Sequence, residues 1–283
     1  MRFSFPFLLA VLFFPLSLTA QHSSCCVPSP TQKFASLGGD KAFASDHRPP
    51  GEFIYQEEAG EFIDLDLADG PDARAWMIPA TNDSGHYLFV FHEWWGLNEY
   101  VKNESKKLYD DLGGKVNIIA LDLYDGKVAS SQEEAQKYMQ ATSDERARAI
   151  ISAASKYAGE DAAIGTIGWC FGGGWSLQAA IMLGDKAEAC VMYYGMPEMD
   201  TDKLEKLETD VLAIFARQDA WITPDKARAF KEKMKEVDAD VELLFYDANH
   251  AFANPSNPDY DSEATRQAYE QAINYLKEHL DQR

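Results

Sequence analysis

Ala162-Ala163-Ile164-Gly165-Thr166-Ile167-Gly168-Trp169-Cys170-Phe171-Gly172-Gly173-Gly174 is the stretch that decides the fold. Its first half is apolar and uncharged, the pattern of a strand buried on both faces, and Trp175 to Leu183 beyond the glycines reads as an amphipathic helix. Cys170 therefore falls on the corner between strand and helix, in a Gly-x-Cys-x-Gly frame. A strand turning straight into a helix leaves no room for Cβ atoms beside the corner, and the residue at the corner takes a strained backbone. The helix start offers free N–H groups and a positive dipole end to a thiolate or a developing oxyanion. The same residues also suit a Gly-rich turn around a structural cysteine, so other groups must decide.

Working outward, the 283 residues are 46% hydrophobic and 25% charged, enough for one large α/β core. A formal net charge of −20, with no basic run, excludes nucleic acid and anionic membrane surfaces as partners. It also disfavours an anionic substrate unless local cations are supplied. Arg2 followed by the apolar run Phe3 to Leu18 and Thr19-Ala20 predicts a signal peptide over 1–20, hence export to a periplasmic or extracellular space. Residues 21–50 read as an arm and 51–283 as the α/β domain. Cys25 leaves a lipid anchor open, and the state of the neighbouring Cys25 and Cys26 is open too. Cys190, inside Ala189-Cys190-Val191-Met192-Tyr193, is a core residue, which leaves Cys170 unpaired and in need of shelter.

Glu61 to Leu67 and Ala73 to Ile78, separated by Asp69-Gly70-Pro71-Asp72, predict an edge hairpin. His86 to His92 is a buried strand that delivers Glu93-Trp94-Trp95-Gly96 at its carboxyl end, where open α/β sheets place their sites. Further strands are expected at Val116–Leu121, Cys190–Tyr194, Val211–Arg217 and Val241–Tyr246. Helix starts are marked by Ser131 with Glu134, Thr142 with Glu145, and Thr223-Pro224. Strands alternating with helices give an α/β fold, a mostly parallel sheet with helices on both faces.

A thiol nucleophile needs a base, and the base an orienting acceptor. Asp219 lies just past the Val211 strand and His250 just past the Val241 strand. Nucleophile, acid and histidine then stand in the order of α/β-hydrolases, each at a strand end. Among the other histidines, His92 abuts Glu93 at the pocket, His22 and His47 fall in the arm, His86 starts a strand and His279 ends the last helix. Glu93 beside two tryptophans is partly desolvated, which raises its pKa and lets it take or share the thiol proton; capping the following helix is its structural alternative. Oxyanion donors are expected from the backbone N–H of Phe171 and Trp94.

With Glu93-Trp94-Trp95-Gly96-Leu97-Asn98, Asp122-Leu123-Tyr124, Gly168-Trp169-Cys170-Phe171-Gly172-Gly173, Gln218-Asp219 and His250-Ala251-Phe252 in place, the chain resembles the dienelactone hydrolase family from about the His86 strand onward. The resemblance implies the α/β-hydrolase fold, a Cys170–His250–Asp219 triad, and a Glu93 that holds the resting thiol and shifts when substrate arrives. Two arginines that bind the substrate carboxylate in that family have no counterpart, since the matching segments read Asp125-Gly126-Lys127 and Ala253-Asn254. Lys127 offers one point charge instead. Trp95, Tyr124, Lys127, Trp169, Trp221 and Phe252 are the expected pocket. The reading is a hydrolase of esters, lactones or thioesters that is not selective for dienelactone, with a small-molecule substrate, no cofactor and no metal. A binding module on a hydrolase fold and a thiol peptidase are its alternatives.

Overall fold

The computed structural model describes Met1 and residues 28–280 except 52, 57, 58 and 83. The expected signal peptide beyond Met1, together with Cys25 and Cys26, lies outside the described residues. Two short helices come first, α1 (Pro30–Leu37) and α2 (Lys41–Ser45), then the hairpin β1 (Glu61–Leu65) and β2 (Ala73–Ile78). The alternating part follows: β3 (His86–Phe91), α3 (Glu99–Asp111), β4 (Asn117–Leu121), α4 (Gln132–Ala141), α5 (Asp144–Ala158), β5 (Ala163–Trp169) and α6 (Phe171–Leu183). The chain ends through β6 (Ala187–Tyr193), α7 (Thr201–Leu204), β7 (Val211–Ala216), α8 (Pro224–Glu236), β8 (Val241–Tyr246) and α9 (Ser262–Leu280).

These strands form one eight-stranded sheet in the order β1-β2-β4-β3-β5-β6-β7-β8. β1 and β2 pair antiparallel, as β2 does with β4, whereas β4, β3, β5, β6, β7 and β8 run parallel. Every residue of β4, β5 and β7 is buried, which is why each reads as an unbroken apolar run. Edge strand β1 is mostly exposed. The pleat of β5 shows the two covered faces: a Cβ at Gly165 would meet Leu280 of α9, and one at Gly168 would meet Gly172 of α6. α3 joins the α9 face through Tyr269 Oη donating to Asp111 at 2.8 Å, and α5 joins the α6 face through Arg148 donating to Gln178 at 2.7 Å.

Local chemistry fixes the helix starts. Asn98, Ser131 and Thr223 accept from the third backbone N–H of α3, α4 and α8, and Pro224 occupies the first position of α8. The expected cap at Thr142 is displaced by one residue. Ser143 accepts from Arg146 N at the start of α5, while Thr142 Oγ1 donates back to Tyr138 O and Leu123 O and so closes the preceding segment. α6 also departs from expectation. It begins at Phe171 rather than Trp175, taking in the three glycines, and all its residues except Met182 are buried, so it is a core helix and not an amphipathic one.

Candidate active site

Cys170 stands at the turn from β5 into α6 with φ 57° and ψ −119°, a left-handed and strained backbone for a residue with a side chain. Two glycines make that turn feasible. A Cβ on Gly168 would sit 2.1 Å from Gly172 O, and one on Gly172 would sit 2.3 Å from Phe91 O. Cys170 is wholly buried. Burial and the neighbouring Glu93 carboxylate push its thiol pKa well up, while the backbone N–H groups of Phe171 and Trp94 reach the sulfur and favour the thiolate. Those are the N–H groups expected to form an oxyanion site.

Because β5, β7 and β8 run parallel, their carboxyl ends share one rim and bring Asp219 and His250 to Cys170. His250 Nδ1 lies 2.6 Å from Asp219 Oδ2. Asp219 Oδ1 accepts from Trp221 N and Ile222 N, both at 2.8 Å. Burial works against the carboxylate, but His250 and those two N–H groups hold Asp219 below its usual range. Burial likewise opposes a charged imidazole, yet the Asp219 carboxylate raises His250 above its ordinary value. With Asp219 ionised, His250 Nδ1 carries the proton and Nε2 is left to face the corner.

Glu93 comes from the carboxyl end of β3 and is pushed up to about 7, chiefly by burial. Its oxygens accept from Tyr194 Oη at 3.3 Å and from Asn254 Nδ2. Beside it opens a cleft whose walls include Trp95, Tyr100, Trp169, Asn254 and Ser256. Two glutamates, Glu93 and Glu104, line this cleft, with no lysine or arginine among its wall residues.

His47 is a member of the site that sequence reasoning passed over. It follows α2, is 1% exposed, and its ring centroid lies 5.2 Å from that of His250. Its Nδ1 is 2.7 Å from Phe43 O, so the proton sits on Nδ1. Burial, and then the charge on His250, lower its pKa to about 3. Phe43 and Phe34 accompany it, with ring centroids 6.0 and 6.3 Å from His250, so the arm roofs the Cys170–His250–Asp219 cluster.

Residues 75–280 match the dienelactone hydrolase family. This chain belongs to that family. With the membership comes its class, a dienelactone hydrolase-like hydrolase. The chain is 28% identical over 232 residues to the protein usf of Aquifex pyrophilus, covering 78% of this chain and 99% of that one. It is 30% identical over 131 residues to a carboxymethylenebutenolidase of Pseudomonas sp. strain P51, covering 46% and 54% of the two chains. A solved dienelactone hydrolase-like promiscuous phosphotriesterase from metagenomic libraries shares the fold, with a TM-score of 0.64 at 23% identity over 78% of this chain and 99% of that one. The fold is therefore that of the α/β-hydrolases, as expected. Phe34, Phe43 and His47 all precede the matched segment.

Within that segment, Trp95 and Trp169 are among the wall residues of the cleft, and the other four residues read as pocket lie elsewhere. Lys127 is exposed, its ammonium 5.8 Å from the Tyr138 ring, because the left-handed backbone at Asp125 and Gly126 turns the loop outward. Trp221 faces the arm, its indole N–H 3.4 Å from Asp46 and its ring edge-on to Phe43. Tyr124 is buried against Phe171 and His92, and Phe252 against Tyr194 and Tyr246. His92 is structural as well. Its Nδ1 donates to Glu93 O at 2.6 Å and its Nε2 accepts from Leu123 N at 3.2 Å, tying the ends of β3 and β4 together.

Proposed function

We propose that this hydrolase cleaves uncharged or weakly charged carboxylic esters, lactones or thioesters through a Cys170 acyl-enzyme. The observation that carries this reading is His250, held by Asp219 at 2.6 Å with its Nε2 open toward a cysteine on a strained strand-to-helix corner. His250 Nε2 takes the thiol proton as Cys170 Sγ attacks the carbonyl carbon. The N–H groups of Phe171 and Trp94 hold the resulting oxyanion. When the intermediate collapses, the C–O bond breaks and His250 returns the proton to the leaving oxygen. A water, deprotonated by the same nitrogen, then attacks the thioester carbonyl and releases the acid and the thiol.

Glu93 acts on the resting thiol. Once its carboxyl, raised to about 7, is ionised, its negative charge keeps Cys170 protonated, and substrate entering the cleft beside it relieves that influence. A thiolate suits esters with good leaving groups, since it is itself expelled when the alkoxide leaves poorly. The acidic cleft and the outward Lys127 support a substrate without a carboxylate, against dienelactone as the preferred one. Export after removal of residues 1–20 belongs to the same reading.

Hydrolysis of a short-chain 4-nitrophenyl ester by wild type and Cys170→Ala tests it. Wild type should turn over and show an added acyl mass on Cys170 after rapid quenching. The variant should lose at least about a thousandfold in kcat/KM. Equal rates for the two proteins would refute the acyl-enzyme and favour the binding-module alternative.

A further inference from the structure

His47 Nε2 and His250 Nε2 are both buried and have no hydrogen-bond partner among the described residues. A ring nitrogen of each and Sγ of Cys170 all lie within 4.8 Å of one another. In both rings Nδ1 is occupied, by Phe43 O in one and by Asp219 in the other, so the converging nitrogens are the Nε2 atoms. One backbone carbonyl and one carboxylate behind two histidines is the outer arrangement that metal-ligating imidazoles use to fix tautomer and direction.

We propose that His47, His250 and Cys170 form a site for one thiophilic divalent cation of the Zn2+ type, and that its binding clamps the arm over the corner and stops acyl transfer. Two imidazoles and a thiolate are a ligand set zinc accepts, with a water completing the tetrahedron. The thiol, and His250 Nε2 where it carries a proton, release those protons to solvent as the bonds to the metal form, so both imidazoles are bound neutral. Tetrahedral bond lengths of about 2.0 Å to nitrogen and 2.3 Å to sulfur require ligand atoms about 3.3–3.6 Å apart. The three ligand atoms, now within 4.8 Å of one another, would draw together by up to about 1.5 Å to meet that spacing. The cation then occupies the sulfur lone pair that would attack substrate and the nitrogen that would take the proton. His47 belongs to the roof outside the family segment, so the site is a property of this chain's arm joined to the core.

The full chain, reduced and freed of metal, is titrated with Zn2+ against a chromogenic chelator and with Co2+ by absorption. One equivalent should bind. Co2+ should show a thiolate-to-metal charge-transfer band in the near ultraviolet, and absorption at the zinc edge should give one sulfur near about 2.3 Å with imidazole nitrogens near about 2.0 Å. His47→Gln should weaken Zn2+ by roughly a hundredfold or more, since even outer partners of such ligands are worth 10–100-fold. Ester turnover in wild type should fall along the Zn2+ binding curve. No binding, binding without sulfur in the wild-type spectra, or equal Zn2+ affinity in His47→Gln would each overturn the site. The wild-type spectra need no variant to fold and no ester to be hydrolysed, so they stand apart from the acyl-enzyme test.

Discussion

Glu93 carries the most testable electrostatics at the residue scale. A carboxyl held at about 7 in the fold, against about 4.5 in the unfolded chain, binds its proton more tightly when folded. Its contribution to stability is therefore complete below about pH 4.5 and is lost as pH rises through 7. The shift corresponds to about 3 kcal/mol. Glu93→Gln keeps the shape without the charge, so its stability relative to wild type should improve by about that amount between pH 5 and pH 8 in urea unfolding. A difference that does not change with pH would show that Glu93 is not held protonated.

The sequence made the Cys170–His250–Asp219 cluster readable because each member follows an apolar strand, and parallel pairing sends those ends to one rim. It could not show Lys127 turning outward, since that depends on the backbone sign at Asp125 and Gly126. Nor could it show His47. Its place beside Cys170 and His250, both more than a hundred positions away, comes from the fold, and a short helix followed by histidine has no periodic signal of its own.

At the scale of elements, the arm is held by polar anchors and by its buried rings. Gln132 Nε2 donates to His47 O at 2.8 Å, Asn257 Nδ2 to Asp46 O at 3.4 Å, and Thr31 Oγ1 to Asp144 at 2.9 Å. Phe43 is fully buried and touches Trp94, Trp221, His47 and His250. Truncating such a ring typically costs about 3–5 kcal/mol when a packed core surrounds it. Here much of that cost falls on the arm alone, because α2 has five residues and packs on the sheet domain from outside. Phe43→Ala should therefore loosen the roof before it unfolds the sheet. Alkylation of Cys170 by iodoacetamide, followed by mass spectrometry, should accelerate by at least roughly tenfold, about 1.4 kcal/mol of easier opening, while far-ultraviolet dichroism stays native. Unchanged alkylation would mean that the cysteine is reached by another route.

Over the whole molecule, a net charge of −20 surrounds a cleft with two acidic wall residues and no basic one. The field and the cleft therefore act on a substrate in the same sense. Above pH 7, where Glu93 is ionised, an anionic ester approaches against the molecular potential and then meets that carboxylate at close range, whereas a neutral ester of equal size meets neither penalty. A neutral 4-nitrophenyl ester should exceed its carboxylate-bearing analogue in kcat/KM by roughly tenfold or more at low salt. Salt separates the two contributions. The long-range part fades as the Debye length shrinks to about 10 Å at 0.1 M, while the contact part inside the cleft is screened much less. The preference should accordingly narrow with added salt without vanishing. A preference for the anionic ester, persisting at high salt, would require a cation in the cleft and would restore Lys127 to the substrate's path.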